Sequence, residues 1–393
     1  MMKALFVAFA FALLAGPLFA TPESAPWWPE SVSTAIAQSG SNRFELTKAL
    51  NKTPEAQREG MQFLIENMPE RDLRNLSADY LLENTALAYQ AAVEAPWGKR
   101  VPRAIFLNDV LPYASLNERR DDWRKKIREI ALPLVKGSST PGEAAQALNR
   151  QIFQIVHVRY STERKKPDQS ALESMESGLA TCSGLSILLV DACRACGVPA
   201  RVAGTPMWKN MRGNHTWVEV WDDGWHFVGA AEPDGKGLDH GWFNGDAAQA
   251  IRDVPQHAIY ASSFRKTGLA FPLVWDFSIQ WVPAVNVTDR YAAGEHAVTT
   301  DGEVRLLVRV FDGKTKHRVA AKVTVADDAG TTVQLEGMSR DESADLNNIL
   351  SFNLPRNRGY RIKVENDGKI AEQDVKTADG NEAEQIVEIS LGS

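Results

Sequence analysis

Residues 178–204 read GLATCSGLSILLVDACRACGVPARVAG, and the fold turns on how this stretch is read. Leu185, Leu188, Leu189, Ala192, Cys193 and Cys196 fall on one face of a helix. Gly197 suits a left-handed C-terminal cap and Pro199 prevents the helix from continuing. Cys182 therefore opens the helix. A thiol at that position meets unsatisfied backbone N–H groups and the positive end of the helix dipole, which favours the nucleophilic thiolate. The same N–H groups could stabilise an oxyanion during acyl transfer. The helix alone does not separate this role from that of a buried structural cysteine, the commoner fate of a lone thiol.

Residues 214–232, NHTWVEVWDDGWHFVGAAE, add the partner. Two alternating runs flank Asp223-Gly224, a two-residue hairpin signal, and His215 opens the first strand. With those two residues as the loop, Val220 faces Phe227, Trp217 faces Ala230 and His215 faces Glu232. Directly paired side chains have Cβ atoms about 4.5–5.5 Å apart, near enough for a carboxylate to orient an imidazole. A three-residue loop would set His215 against Ala231 or Pro233 instead, so the Glu232 assignment rests on the turn type.

A Cys at a helix start, then Gly197-Val198-Pro199-Ala200-Arg201, then His215-Thr216-Trp217-Val218-Glu219-Val220 and a strand led by Trp225 together resemble the transglutaminase-like superfamily. The resemblance covers roughly residues 145–245. It implies a papain-like α+β fold with Cys182 as nucleophile, His215 as general base and an acidic residue that orients the histidine. In the family pattern that Asp falls four residues after the strand's Trp, a position held here by Gly229. The run Gly229-Ala230-Ala231-Glu232-Pro233 and the later Gly241-Trp242 look closer to the peptide N-glycanase branch, which makes Glu232 the candidate third member. Asp234 and Asp239, on the loop beyond, are the alternatives.

Other candidates carry less. Cys193-x-x-Cys196 has redox spacing but ends a helix rather than starting one, so packed thiols or a local disulfide are expected. His226, Asp239 and His240 lack ligand-pair spacing, and neither a metal nor a cofactor is expected. Trp208, Trp217, Trp221, Trp225 and Trp242 read as core and cleft wall, with one or two lining a substrate groove.

Outward from this centre, the expected architecture is α+β in three parts. Residues 21–142 form a helical N-terminal region, 143–287 the transglutaminase-like core, 288–302 a linker and 303–393 a β-sandwich. In the first part, Leu46, Leu50, Met61, Leu64 and Ile65 recur between charges. The charges of SLNERRDDWRKKIREIALPLV, Glu118, Arg119, Asp121, Arg124 and Lys125 among them, are expected on a solvated helix face. The stretch WGKRVPRAIFLNDVLPYASLNE looks like the leader found ahead of some bacterial transglutaminase-like domains and is expected to cap the cleft. In the last part, the runs VRLLVRVF, VAAKVTV, TTVQL, ILSFNL, YRIKVEN and EQIVEISL alternate in the manner of short strands. This segment resembles carboxypeptidase-regulatory or transthyretin-like sandwiches, and its Asp341, Glu342 and Asp345 are expected in a solvated loop rather than a calcium site.

At the N-terminus, Lys3, the apolar run ALFVAFAFALLAG, Pro17 and a cleavage site after Ala20 have the order of a secretory signal peptide. The run is shorter than the roughly 20 residues that span a bilayer, so no transmembrane segment is expected in the mature chain, which is placed in the periplasm or outside the cell. A net charge of −6 offers no electrostatic footprint for nucleic acid. The combined reading is an exported cysteine-dependent acyl-transfer enzyme acting on a protein or peptide, hydrolysing amide bonds rather than cross-linking. The alternative is a catalytically weak or inactive papain-like module that binds protein or glycan at the cell envelope.

Overall fold

The computed structural model describes residues 26–292, 302–327, 334–380 and 382–392. The signal-like segment 1–20 and most of the linker lie outside them. No helix among the described residues is long and apolar enough to cross a membrane.

The helices Glu30–Gln38, Arg43–Lys52, Arg58–Asn67 and Ala78–Glu94 pack around Leu46, Leu50, Met61, Leu64 and Ile65, all completely buried. A second apolar cluster runs across residue 142, because Trp97, Trp123 and Ile127 share it with Leu148, Leu188, Val202 and Val218. The N-terminal region and the core therefore meet through a common interior.

The junction corrects two expectations. The Trp97–Glu118 stretch grips the C-terminal end of the Cys182–Ala195 helix, the end remote from Cys182, and so does not cap the cleft. Trp97 Nε1 donates to Gly197 O at 2.8 Å, and Arg194 donates to the carbonyls of Asp109 and Ala114 at 3.2 and 2.9 Å. Arg119 and Lys125 are exposed as expected, but Glu118, Asp121 and Arg124 are not solvated. Each is under a tenth exposed, because each satisfies groups that water cannot reach. Glu118 accepts from the Ser115 and Leu116 amides, while Arg124 and Arg128 cap the last helical carbonyls at Arg194 and Ala195.

Burial pushes the Asp109 carboxyl at this junction up to about 6, against the pull of Arg201 and Arg194. The folded state then keeps a proton that the unfolded chain releases near ~3.9. This contribution to stability is present below that pH and is lost as pH rises through about 6. In urea titrations, Asp109→Asn is expected to flatten the fall in stability over that window. An unchanged slope would assign the fall to another group.

The core sheet has five antiparallel strands in the order Trp225–Val228, His215–Trp221, Ala200–Thr205, Tyr260–Ser262, Ala284–Asn286. The Cys182–Ala195 helix lies against its central strands. Within the sheet Arg201 stands directly opposite Glu219 and pairs with it at 2.7 Å, so the two quoted motifs meet as one buried ion pair. Arg290 also pairs with Glu219, and the Tyr291 hydroxyl donates to it at 2.9 Å. Removing the Glu219 charge strands two guanidiniums, one of them buried. Glu219→Gln should cost about 3 kcal/mol in chemical denaturation, and a loss below about 1 kcal/mol would show that Gln satisfies the arginines equally well.

The C-terminal region is a two-sheet sandwich. One sheet orders Leu350–Pro355, Glu303–Asp312 and Glu384–Leu391, and the other orders Gln334–Met338, Lys322–Asp327, Gly359–Asn366 and Lys369–Lys376. The last of these is an edge strand that the alternation rule passes over, since KIAEQDVK is polar and mostly exposed. Leu306, Val308, Val323, Val325, Ile362, Val364 and Ile389 fill the space between the sheets. Buried charges join the sandwich to the core. Asp246 pairs with Arg212 and with Arg305, and both arginines also reach Glu384, at 3.0 and 3.2 Å.

Candidate functional site

Cys182 is the first residue of its helix. Thr181 caps that helix by accepting the Gly184 amide at 3.0 Å, and its own hydroxyl donates to Pro167 O at 2.7 Å. The thiol is partly exposed while the following turn is buried. His215 is the first residue of its strand, opposite Thr205, and only 2% exposed. Its imidazole sits among aromatic rings, with centroids 4.7 Å from Trp242, 5.0 Å from Phe243 and 5.8 Å from Trp217. Trp208 and Trp217 are buried core residues, and Trp242 forms part of the wall beside the histidine.

The hairpin differs from its expected register. Trp221 faces Trp225, Val220 faces His226 and Val218 faces Val228, so the loop is the three residues Asp222-Asp223-Gly224. Asp223 takes a left-handed backbone (φ 56°), and the Asp222 amide bonds Gly224 O at 2.8 Å. Asp-Gly signals a tight turn without distinguishing a two-residue loop from a three-residue one. Strand pairing ends at Val228, so Glu232 does not reach His215 by cross-strand pairing.

Glu232 arrives there by a turn instead. Its amide bonds Gly229 O at 3.3 Å, Ala231 is left-handed (φ 64°), and Asn149 of the Pro141–Ile155 helix clamps both sides of the bend. Asn149 donates to Gly229 O and accepts from the Ala231 amide, each at 2.8 Å. The carboxylate of Glu232 ends 3.9 Å from His215 Nε2. A Cβ on residue 229 would lie 2.4 Å from Glu232 Oε2. The glycine at the family's Asp position thus makes room for a carboxylate delivered from three residues later. Asp239 is committed to His226 at 2.6 Å and to the Phe227 amide, and Asp234 accepts the Lys236 amide.

The sequence reading missed one residue of the site. Asp345, expected in a solvated loop, is 4% exposed and comes from the sandwich, with Oδ2 3.5 Å from His215 Nδ1. One ligand-type atom each of Cys182, His215 and Asp345 lies within 4.8 Å of the others. The Asp345 loop is tied on every side. Buried Arg318 donates to Ala344 O and Asp345 O, Asn347 Nδ2 donates to Asn214 O at 3.0 Å, and the Leu346 amide bonds the Tyr160 hydroxyl at 3.3 Å. No local signal marks Asp345, because its partners His215 and Cys182 lie far from it in the chain. The acidic cluster Asp341, Glu342, Asp345 is the sole trace, and it reads as surface.

The electrostatics follow from burial in this pocket. Burial pulls the His215 imidazole down, but Asp345 outweighs it, with help from Cys182 and Glu232, and holds the ring well above its ordinary range. Burial would raise Asp345, but His215 outweighs that and keeps it below the usual carboxylate range. Burial pushes Glu232 up to about 7 against the pull of His215. Neither ring nitrogen of His215 has a hydrogen-bond partner, and Glu232 Oε2 has none either. Cys193 and Cys196 are buried free thiols, and burial pushes Cys196 up to about 12 and Cys193 further, which leaves both inert.

Residues 128–246 match the model of the transglutaminase-like superfamily. No curated protein matches the chain. Among solved structures the chain is similar to a Cytophaga hutchinsonii protein described as a candidate cysteine protease, at 18% identity over 42% of this chain and 58% of that one, with a TM-score of 0.25. It is also similar to red sea bream transglutaminase, at 11% identity over 72% of this chain and 66% of that one, with a TM-score of 0.29. The chain thus covers less than two thirds of either structure.

Proposed function

We propose that this chain, whose central segment is transglutaminase-like, is a cysteine-dependent acyl-transfer enzyme that hydrolyses peptide or other amide bonds. The observation that carries the reading is the opposed placement of groups on one buried imidazole. The Cys182 thiol and Asp345 approach His215, and Glu232 stands at Nε2.

The chemistry follows from those positions. The Cys182 thiolate attacks the amide carbonyl carbon, and the unsatisfied N–H groups of the first helical turn are available to the oxyanion. The tetrahedral intermediate collapses with cleavage of the C–N bond, and His215 gives its proton to the departing amine. Water then attacks the thioester, His215 takes one of its protons, the C–S bond breaks, and the carboxylic acid leaves with the Cys182 thiolate and the His215 imidazolium restored. Glu232 supports the charged ring from Nε2, the task the family gives to an Asp at the position of Gly229. Asp345 holds the resting imidazolium from its Nδ1 side, so the sandwich is part of the site.

Preference for hydrolysis over cross-linking rests on the absence of a sequence feature marking a dedicated amine site. The Gly229 to Glu232 run supports a local likeness to the peptide N-glycanase branch, and the sandwich resembles carboxypeptidase-regulatory domains that bind or space rather than catalyse. The signal-like N-terminus supports export to the periplasm or beyond, with envelope protein or glycan as partner. The binding-only alternative draws on Gly229, which stands where the family pattern carries the orienting Asp.

The decisive experiment is trapping of the acyl-enzyme. Incubation with activated ester and anilide substrates, acid quench and peptide mapping should locate a thioester on Cys182. Unmodified Cys182 across the substrate panel, with no product released, would favour the binding module.

A further inference from the structure

We propose that Cys182, His215 and Asp345 form a binding site for a zinc-class divalent cation, built from both the core and the sandwich. A thiolate, an imidazole and a carboxylate suit zinc and its neighbours, whereas calcium and magnesium demand oxygen donors. The spacing is close to what such a site needs. Bonds of about 2.0–2.1 Å to nitrogen and oxygen place those two atoms roughly 3.3 Å apart on a tetrahedron; His215 Nδ1 and Asp345 Oδ2 are 3.5 Å apart. All three ligand atoms lie within 4.8 Å of one another.

Two further observations point to a ligand. His215 is 2% exposed, yet neither ring nitrogen makes a hydrogen bond of normal length, its facing carboxylates standing off at 3.5 Å on Nδ1 and 3.9 Å on Nε2, an arrangement rare for a buried polar group. Glu232 Oε2, also buried and unpartnered, faces Nε2 at 3.9 Å. A histidine that ligates a metal through one nitrogen and presents the other to a carboxylate is the usual outer-shell arrangement of such sites. The charges balance as well, since a dication is neutralised by the Cys182 thiolate and the Asp345 carboxylate. From the thiolate–imidazolium pair, binding would displace one imidazolium proton, the one on Nδ1, to solvent. Cys182 itself is partly exposed to solvent.

The ligands are held by separate parts of the fold. Cys182 is fixed by the Thr181 cap, His215 by the sheet, and Asp345 by Arg318 and Asn347. A bound cation would engage the sulfur that the proposed reaction needs and tie the sandwich to the core, so the loaded form is latent. The metal site itself does not depend on the acyl-transfer reading, because cation binding requires the three side chains and no turnover.

The test uses the full chain freed of metal by chelator, titrated with Co²⁺ as a spectroscopic probe and then with Zn²⁺ in competition. One Co²⁺ per chain is expected, with a thiolate charge-transfer band and the intense visible bands of tetrahedral cobalt, displaced by one Zn²⁺. Asp345→Asn should weaken binding by about 100-fold or more and Glu232→Gln by about 10–100-fold, while Asp341→Asn, one turn of loop away, should bind as the parent does. Stoichiometric Zn²⁺ should also protect Cys182 from iodoacetamide in the unsubstituted chain, a readout that needs no variant to fold. No protection, cobalt spectra lacking the thiolate band, or undiminished affinity in a folded Asp345→Asn would each overturn the site. Failure of acyl trapping alongside intact cobalt binding would sink the enzymatic reading and leave this one standing.

Discussion

Cys182→Ala is expected to abolish amide turnover, lowering kcat by a factor of about 10⁴ or more. The sulfur is the atom that forms the bond in the proposed reaction, and no other thiol can replace it. Cys193 and Cys196 are free, buried and raised by desolvation, and they sit at the far end of the same helix. The substitution should leave the fold in place, because the side chain is partly exposed and the helix start is held by the Thr181 cap. Turnover of an ester and anilide panel, with circular dichroism and urea midpoint as fold controls, reads the result. Activity that survives in a folded Cys182→Ala chain would mean that the nucleophile lies elsewhere.

Gly229→Asp should be the most damaging single change around the histidine, although it restores the residue type the family carries at that position. The new Cβ would stand 2.4 Å from Glu232 Oε2 and 3.2 Å from Glu232 Cβ, and a second carboxylate would enter a pocket already holding one. Overpacking and an added buried charge together should cost about 4–6 kcal/mol, and turnover should fall with loss of the positioned imidazole. The informative result is the double change. If position 229 and position 232 are two routes to one carboxylate site, Gly229→Asp with Glu232→Ala should recover much of the stability and part of the activity lost by either change alone. Urea denaturation and kcat/KM for the four chains of this cycle measure the coupling directly. Simple additivity would show that the two positions do not share the space beside His215 Nε2.

Much of the core was legible because its signals are local. A helix start, a cap and a strand start depend on a few neighbouring residues, so Cys182, Gly197 and His215 could be placed from periodicity, turn chemistry and alternation. The buried positions Leu46, Leu50, Met61, Leu64 and Ile65 were legible for the same reason, since helical periodicity is written into the chain. Errors arose where one residue of slack changes the geometry. Asp-Gly allowed two loop lengths, and the longer one moved every pair of the hairpin by one position. Charged runs failed differently. Glu118 and Arg124 look like surface residues until the groups they satisfy are known: Glu118 accepts the nearby Ser115 and Leu116 amides inside a buried turn, and Arg124 donates to carbonyls at Val110 and Arg194, in segments more distant in sequence.

The sequence by itself therefore determined that a thiol opens a helix and that a histidine opens a strand, because short-range hydrogen bonding and side-chain periodicity decide those features; that the two belong to one α+β core came from the resemblance to the transglutaminase-like pattern. Tertiary structure decided what surrounds the imidazole. Glu232 reaches it through a turn clamped by Asn149, and Asp345 reaches it from a separate domain held by Arg318 and by the Arg212, Asp246, Arg305 and Glu384 charges. The physical reason is that a buried charge is stabilised only by partners brought to it in space, and chain order says nothing about which loop of a remote sandwich will supply one.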